Sequence, residues 1–167
     1  MPDLNAGASY GALIADQLSE ERSRKSTLEA RGIAVISSSG VLVTLLLALI
    51  ASVTATTKFR LPGPARLPVL LALVAFISAA ICGLMTNVPL RYKEPTVSGL
   101  VKLLSANYWA GSAEIGQLRV AEALVTTLAA ARSANALKVY FLLSAIFFEL
   151  LAVIFLSWAA AGIIYGT

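Results

Sequence analysis

The stretch VYFLLSAIFFELLAVIFLSWAAAGIIYGT, residues 139–167, is apolar almost throughout, yet it places a carboxylate, Glu149, near its middle. Two long apolar runs precede it, and each carries a hydroxyl at a similar level: Thr44 in the first and Ser78 in the second. If each run crosses a bilayer as a helix and the third enters near residue 138, Glu149 lies roughly 16 Å deep, close to the midplane. Thr44 and Ser78 then share its layer. Polar groups are costly in lipid and turn toward a bundle interior or a water-filled cavity. Several chemistries fit this layer. Glu149 is a structural carboxylic acid hydrogen-bonded to Thr44 or Ser78, a pore-lining or gating carboxylate, a station in a proton relay, or a contact for a membrane partner. The relay lacks a second ionisable group inside the runs to pass the proton on.

A second set of candidates is cationic. Arg22, Arg24 and Lys25 precede the first run, and Arg91, Lys93 and Lys102 follow the second. Guanidinium groups suit bidentate contact with phosphate, so these six are candidate ligand contacts. The plainer role for basic residues beside apolar runs is to hold the helices in place against anionic lipid. Other chemistry is excluded by composition. The chain has no histidine, which removes His-based metal sites and Ser-His or Cys-His pairs. The single cysteine, Cys82, has no intrachain partner. No P-loop or Gly-rich dinucleotide motif is present. The expectation is a chain that is not an enzyme and carries no metal or cofactor.

The elements that hold these residues are read from hydropathy. Of 167 residues, 58% are hydrophobic and only 13% charged, against about 25% charged in soluble domains. No charged residue occurs between Arg31 and Lys58 or between Arg66 and Arg91, and Glu149 alone interrupts the last run. A bilayer core needs about 20 apolar residues as helix. The reading is therefore an all-α membrane protein with three transmembrane helices, at about 33–55, 67–88 and 138–163, and long helices extending into the cytoplasm. The first run is too long and too far from the start for a signal peptide, and is expected to remain in the mature chain.

Lysine and arginine placement orients the helices. Arg22, Arg24, Lys25 and Arg31 precede the first run, and Arg91, Lys93, Lys102, Arg119, Arg132 and Lys138 lie between the second and third. The loop between the first two carries only Lys58, Arg60 and Arg66. The N-terminus and residues 91–137 are thus placed in the cytoplasm, and membrane lipid is a partner of the basic flanks.

Residues 1–11 read as a mobile tail, small and Gly-containing. Residues 12–31 read as a stalk helix with Glu20–Arg24, Glu21–Lys25 and Lys25–Glu29 spaced to pair, and a thin apolar stripe of Ile14, Leu18 and Leu28. The hairpin occupies 32–90. Within 91–137, EPTVSGLVKLLSANYW has Val97, Leu100, Val101 and Leu104 at helical spacing, followed by Tyr108 and Trp109. A second helix starts at the Ser112 cap with Glu114 in its first turn, presents Leu118, Ala121, Val125 and Leu128, and continues unbroken into the third run. Small-residue stripes run along Ser37, Gly40, Thr44, Ala48 and Ser52, along Ala72, Ala75, Ala79 and Gly83, and at Ala145 and Ala152. Such stripes let membrane helices approach closely. Three helices make a thin bundle, so a homo-oligomer is expected.

The order of parts, with QLSEERSRKSTLEARG running into a membrane hairpin that is followed by a cytosolic helical segment, resembles the small SLATT-like transmembrane effectors of bacterial anti-phage systems of the CBASS, Pycsar and Hailong type. The third spanning helix departs from the two-helix pattern of that group, and no residue is carried over from it. The resemblance implies an oligomeric pore-former in the bacterial inner membrane that responds to a nucleotide or oligonucleotide signal made by a partner enzyme. The competing expectation is a non-conducting anchor or accessory subunit whose cytoplasmic helices dock a partner.

Overall fold

A computed structural model describes residues 6–56, 63–89, 101 and 112–165. Three helices account for nearly all of them: α1 (Ala6–Thr56), α2 (Gly63–Asn87) and α3 (Ala113–Tyr165). No strand occurs among the described residues. All three helices contain segments long and apolar enough to cross a membrane, which fits a multi-pass membrane protein. The expected helix over EPTVSGLVKLLSANYW lies outside the described residues except for Val101, as do Lys58 and Arg60.

The helix α1 begins at Ala6, inside the stretch that composition marks as tail. Tertiary contact supplies the reason. A side chain at Gly7 would meet Gln117 Oε1 at 2.7 Å, so the first turn of α1 lies directly against α3. The α3 helix runs without interruption through Lys138, consistent with a sequence that has no proline there to remove a backbone donor. At its start, the Ser112 carbonyl accepts the Gly116 amide at 3.1 Å.

The chain forms two compact units, Met1–Thr27 with Pro89–Leu137, and Leu28–Val88 with Lys138–Thr167. In the first, Leu18 packs on Leu128 and Ala131, with Leu124 beside them. This sets the rotation of α3 differently from the periodicity reading: Leu128 is buried, but Leu118 and Val125 point outward. An open groove of about 330 Å³ is lined by Gly7, Ala8 and Gly11 on one side and Ala113, Gly116 and Gln117 among others on the opposite side. It contains no charged group.

In the second unit all three helices meet. One cluster joins Leu28 and Val35 of α1, Ala79 of α2, and Leu142 and Ala145 of α3. Another joins Ala75 and Phe76 to Ala152, with Leu42, Val43 and Leu156 packed on it. The alanine stripes of α2 and α3 are what bring the backbones together. Ala72, Ala79, Ala145 and Ala152 are each 0% exposed. A close crossing joins α1 and α2 at Gly32: a Cβ there would collide with Thr86 Oγ1 and stand 2.9 Å from the Gly83 carbonyl.

The stripe read on α1 faces the other way. Ser37, Gly40, Thr44 and Ala48 are exposed, and α1 buries Gly32, Val35 and Ser39 instead. The side chain of Ser52 lies outside the described set. The outward positions of the three helices therefore differ in character. Those of α2 include Leu67, Leu70, Val74, Ile77, Ile81, Leu84 and Met85, with Arg66 near its start, and those of α3 include Tyr140, Leu143, Phe147, Leu150, Ile154 and Trp158. On α1, Ala34, Ser37, Ser38, Gly40, Thr44 and Ala48 are interleaved with Ile33, Val41, Leu45 and Leu47.

Candidate functional site

Glu149 is half-buried in the second unit, between Ala145 one turn before it and Ala152 one turn after it. Because neither alanine projects beyond Cβ, α1 lies close enough for the glutamate to reach its hydroxyls. Ser38 Oγ donates to Glu149 Oε1 at 2.5 Å, and Ser39 Oγ reaches the same oxygen at 3.4 Å. Ser38 Oγ also lies 3.0 Å from the Val35 carbonyl one turn back. Ser39 is 1% exposed, whereas Ser38 is open to the outside of the unit.

The hydroxyls expected beside Glu149 are engaged elsewhere. Thr44 Oγ1 bonds to the Gly40 carbonyl at 2.8 Å and Ser78 Oγ to the Val74 carbonyl at 2.9 Å. Both are the i−4 back-bonds by which Ser and Thr satisfy themselves within a helix. Of the three residues in the anticipated layer, Glu149 is the one bonded to another helix, and its partners are consecutive serines that depth alone did not single out. The signal for them was present in the sequence as the run Ser37-Ser38-Ser39, which packs three hydroxyls into one turn of an apolar helix.

A second buried charge was read as a basic flank. The Lys138 side chain is 0% exposed, and its Nζ lies 2.5 Å from Glu29 Oε1; the Glu29 side chain is 31% exposed. Thr86, also fully buried, bonds to the Gly83 carbonyl at 2.7 Å. A buried lysine with its own carboxylate is a fixed link between α1 and α3, since the enclosed ammonium alone would be strongly disfavoured there.

The cationic candidates divide. Arg22 is exposed. Arg24 Nη1 stands 3.8 Å from Glu21 Oε1, and Arg132 Nε approaches the same oxygen at 3.6 Å while its Nη2 donates to Gln17 at 2.9 Å. Asn135 completes the cluster within the first unit, donating to the Glu21 carboxylate at 2.8 Å and to the Glu21 carbonyl at 2.9 Å. Arg132 and Asn135 were not among the sequence candidates. Lys25 is half-buried, and Arg91, Lys93 and Lys102 lie outside the described residues. Among the described residues no three His, Cys, Asp or Glu side chains gather as metal ligands would. Comparison of the chain with protein-family models, with curated proteins and with solved structures gives no match.

Proposed function

We propose that this chain is an oligomeric, channel-like membrane effector in which Glu149 lines the ion path. The observation that carries the reading is the position of the Glu149–Ser38 pair. It opens onto the outward side of α1, where Ser37, Gly40 and Thr44 are also exposed. The outward sides of α2 and α3 carry bulky apolar residues suited to lipid. A carboxyl-hydroxyl pair and several small polar residues are poorly solvated by acyl chains. Small residues allow a neighbouring helix to approach closely. That cost vanishes, and the close approach is used, if the α1 faces of several copies surround a common, hydrated axis. Rings of acidic side chains favour cations in such paths.

The remaining parts of the reading rest on the architectural resemblance to SLATT-like effectors: residence in the bacterial inner membrane with the N-terminus inside, gating from the cytoplasm by a nucleotide signal, and a role in anti-phage defence. Planar-bilayer recording of the wild type and Glu149→Gln, with oligomer size checked in detergent, tests the core claim. The substitution keeps shape and hydrogen-bonding capacity but removes the charge. Reduced cation selectivity with unchanged assembly is expected; identical selectivity in the two proteins would exclude a pore-lining carboxylate. The alternative, a non-conducting anchor, is favoured by a different observation. Leu13, Ile115, Leu118, Val120 and Val125 are exposed in the first unit, a surface on which a partner could dock. Absence of conductance in both proteins would select that reading.

A further inference from the structure

We propose that Glu149, Ser38 and Ser39 form a binding site for a single, partly dehydrated monovalent cation of sodium size. The inference rests on the pore-lining reading for the ion's route of entry, through the exposed Ser38 side, but its binding chemistry stands on the local geometry.

The donors are all hard oxygens, two from the carboxylate and one from each serine, with no sulfur or nitrogen ligand among the three side chains; such a set selects hard cations. The charge selects the valence. Glu149 is the only acidic residue between Val139 and Tyr165 of α3, and α2 has none. In α1 the acidic residue nearest to the serines in sequence, Glu29, is committed to Lys138. One monovalent ion neutralises one carboxylate. A divalent ion would leave one positive charge that no second carboxylate in α2 or in residues 139–165 balances.

The proton count on the serines shows how the site opens. Ser38 has one hydroxyl proton and two acceptors in reach, Glu149 Oε1 at 2.5 Å and the Val35 carbonyl at 3.0 Å. Rotation about the Cβ–Oγ bond moves that proton from the first to the second. It turns a lone pair toward the carboxylate. Without the shared proton the two oxygens cannot stay 2.5 Å apart, so the Ser38 and Glu149 side chains must part slightly to admit an ion with cation–oxygen distances of roughly 2.4 Å. Ser38 thereby changes from donor to ligand. Ser39 stands 3.4 Å from Glu149 Oε1, long for a hydroxyl hydrogen bond. With cation–oxygen distances of roughly 2.4 Å, typical of hard ions of this size, two ligands meeting at a right angle lie about 3.4 Å apart. The spacing that is poor for a hydrogen bond suits two oxygens bridged by an ion.

The test uses the full chain reconstituted in phosphatidylcholine vesicles and labelled at one fixed pH with dicyclohexylcarbodiimide. This apolar reagent adds to a protonated carboxyl and leaves a stable adduct, and a cation held on the carboxylate blocks it. Labelling is carried out in sodium chloride or in choline chloride, and the Glu149 peptide is followed by mass spectrometry. Modification in choline should slow about tenfold when sodium is present at some ten times its Kd, because the unoccupied fraction falls as 1/(1 + [Na⁺]/Kd). Joint replacement Ser38→Ala and Ser39→Ala should leave the labelling but remove the protection. Joint Ser38→Thr and Ser39→Thr, which keep the hydroxyls, should restore it. Circular dichroism and oligomer size confirm that the variants fold. Equal rates in sodium and choline, no adduct in either salt, or protection that survives loss of both hydroxyls would each overturn the site. Conductance in the same vesicles without sodium protection discards the site and leaves the pore reading intact. Sodium protection without conductance does the reverse.

Discussion

The Lys138–Glu29 pair makes a prediction whose order of magnitudes follows from exposure alone. Lys138 is fully enclosed, whereas nearly a third of the Glu29 side chain is accessible. Glu29→Gln leaves an ammonium buried beside a neutral amide, and an uncompensated buried charge of this kind costs about 3–5 kcal/mol. Lys138→Met keeps most of the stem packed and leaves a carboxylate that water can reach, at about 1–3 kcal/mol. The double variant has neither charge, and paired replacement of buried ions by neutral groups of similar volume is close to neutral, or stabilising by about 1–4 kcal/mol. The cycle should therefore be strongly non-additive, with the double variant more stable than either single one. Reversible unfolding by sodium dodecyl sulfate in mixed micelles, followed by circular dichroism, measures all four proteins. If Lys138→Met is the more damaging single change, or if the two costs simply add, the burial argument fails.

Three further outcomes are expected. Gly32→Ala should destabilise the helical unit by at least about 2–3 kcal/mol, an overpacking cost, because its methyl group collides with Thr86. Gly40→Ala, with nothing within 4 Å, should not lower monomer stability, so equal effects in detergent melts would contradict the crossing. In a Cys82→Ala background, cysteines at Gly63 and Thr167 should react with impermeant reagent on intact cells while one at Tyr10 does not; the opposite pattern reverses the orientation. Replacing Arg22, Arg24, Lys25, Arg91, Lys93 and Lys102 together should abolish binding of any signal nucleotide, measured by calorimetry, and binding that persists would remove these residues from the ligand site.

The three long helices were legible because they depend on local properties, the apolar runs and the absence of breakers near Lys138. Helix rotation was not. Around α1, Ser37-Gly40-Thr44-Ala48 and Gly32-Val35-Ser39 are both small and apolar at helical spacing, so periodicity does not choose between them. In the structure Thr86 and Gly83 pack against Gly32, where a side chain would collide with Thr86. The partners of Glu149 were misplaced for a related reason. A depth argument treats the helices as parallel rods entering at one level, and Ser38 lies six residues before Thr44, about 9 Å of rise. Lys138 was read by its proximity to the third run as a flank, because charge patterning counts residues along the chain and Glu29 lies 109 positions away.

The Ser38–Glu149 bond joins residues 111 positions apart, and this separation imposes an order on biosynthesis. A central acidic residue raises the insertion free energy of a helix, by about 2.5–3.5 kcal/mol for aspartate at mid-span. The segment around Glu149 emerges from the ribosome well after Ser38 and Ser39, so their hydroxyls can already be in the bilayer when the carboxylate arrives. The α1–α2 hairpin then acts as a receptor for α3. If the three helices insert in chain order, integration of α3 is conditional on a correctly inserted hairpin, and a chain whose first helices fail to insert would expose a last segment that the translocon accepts less readily.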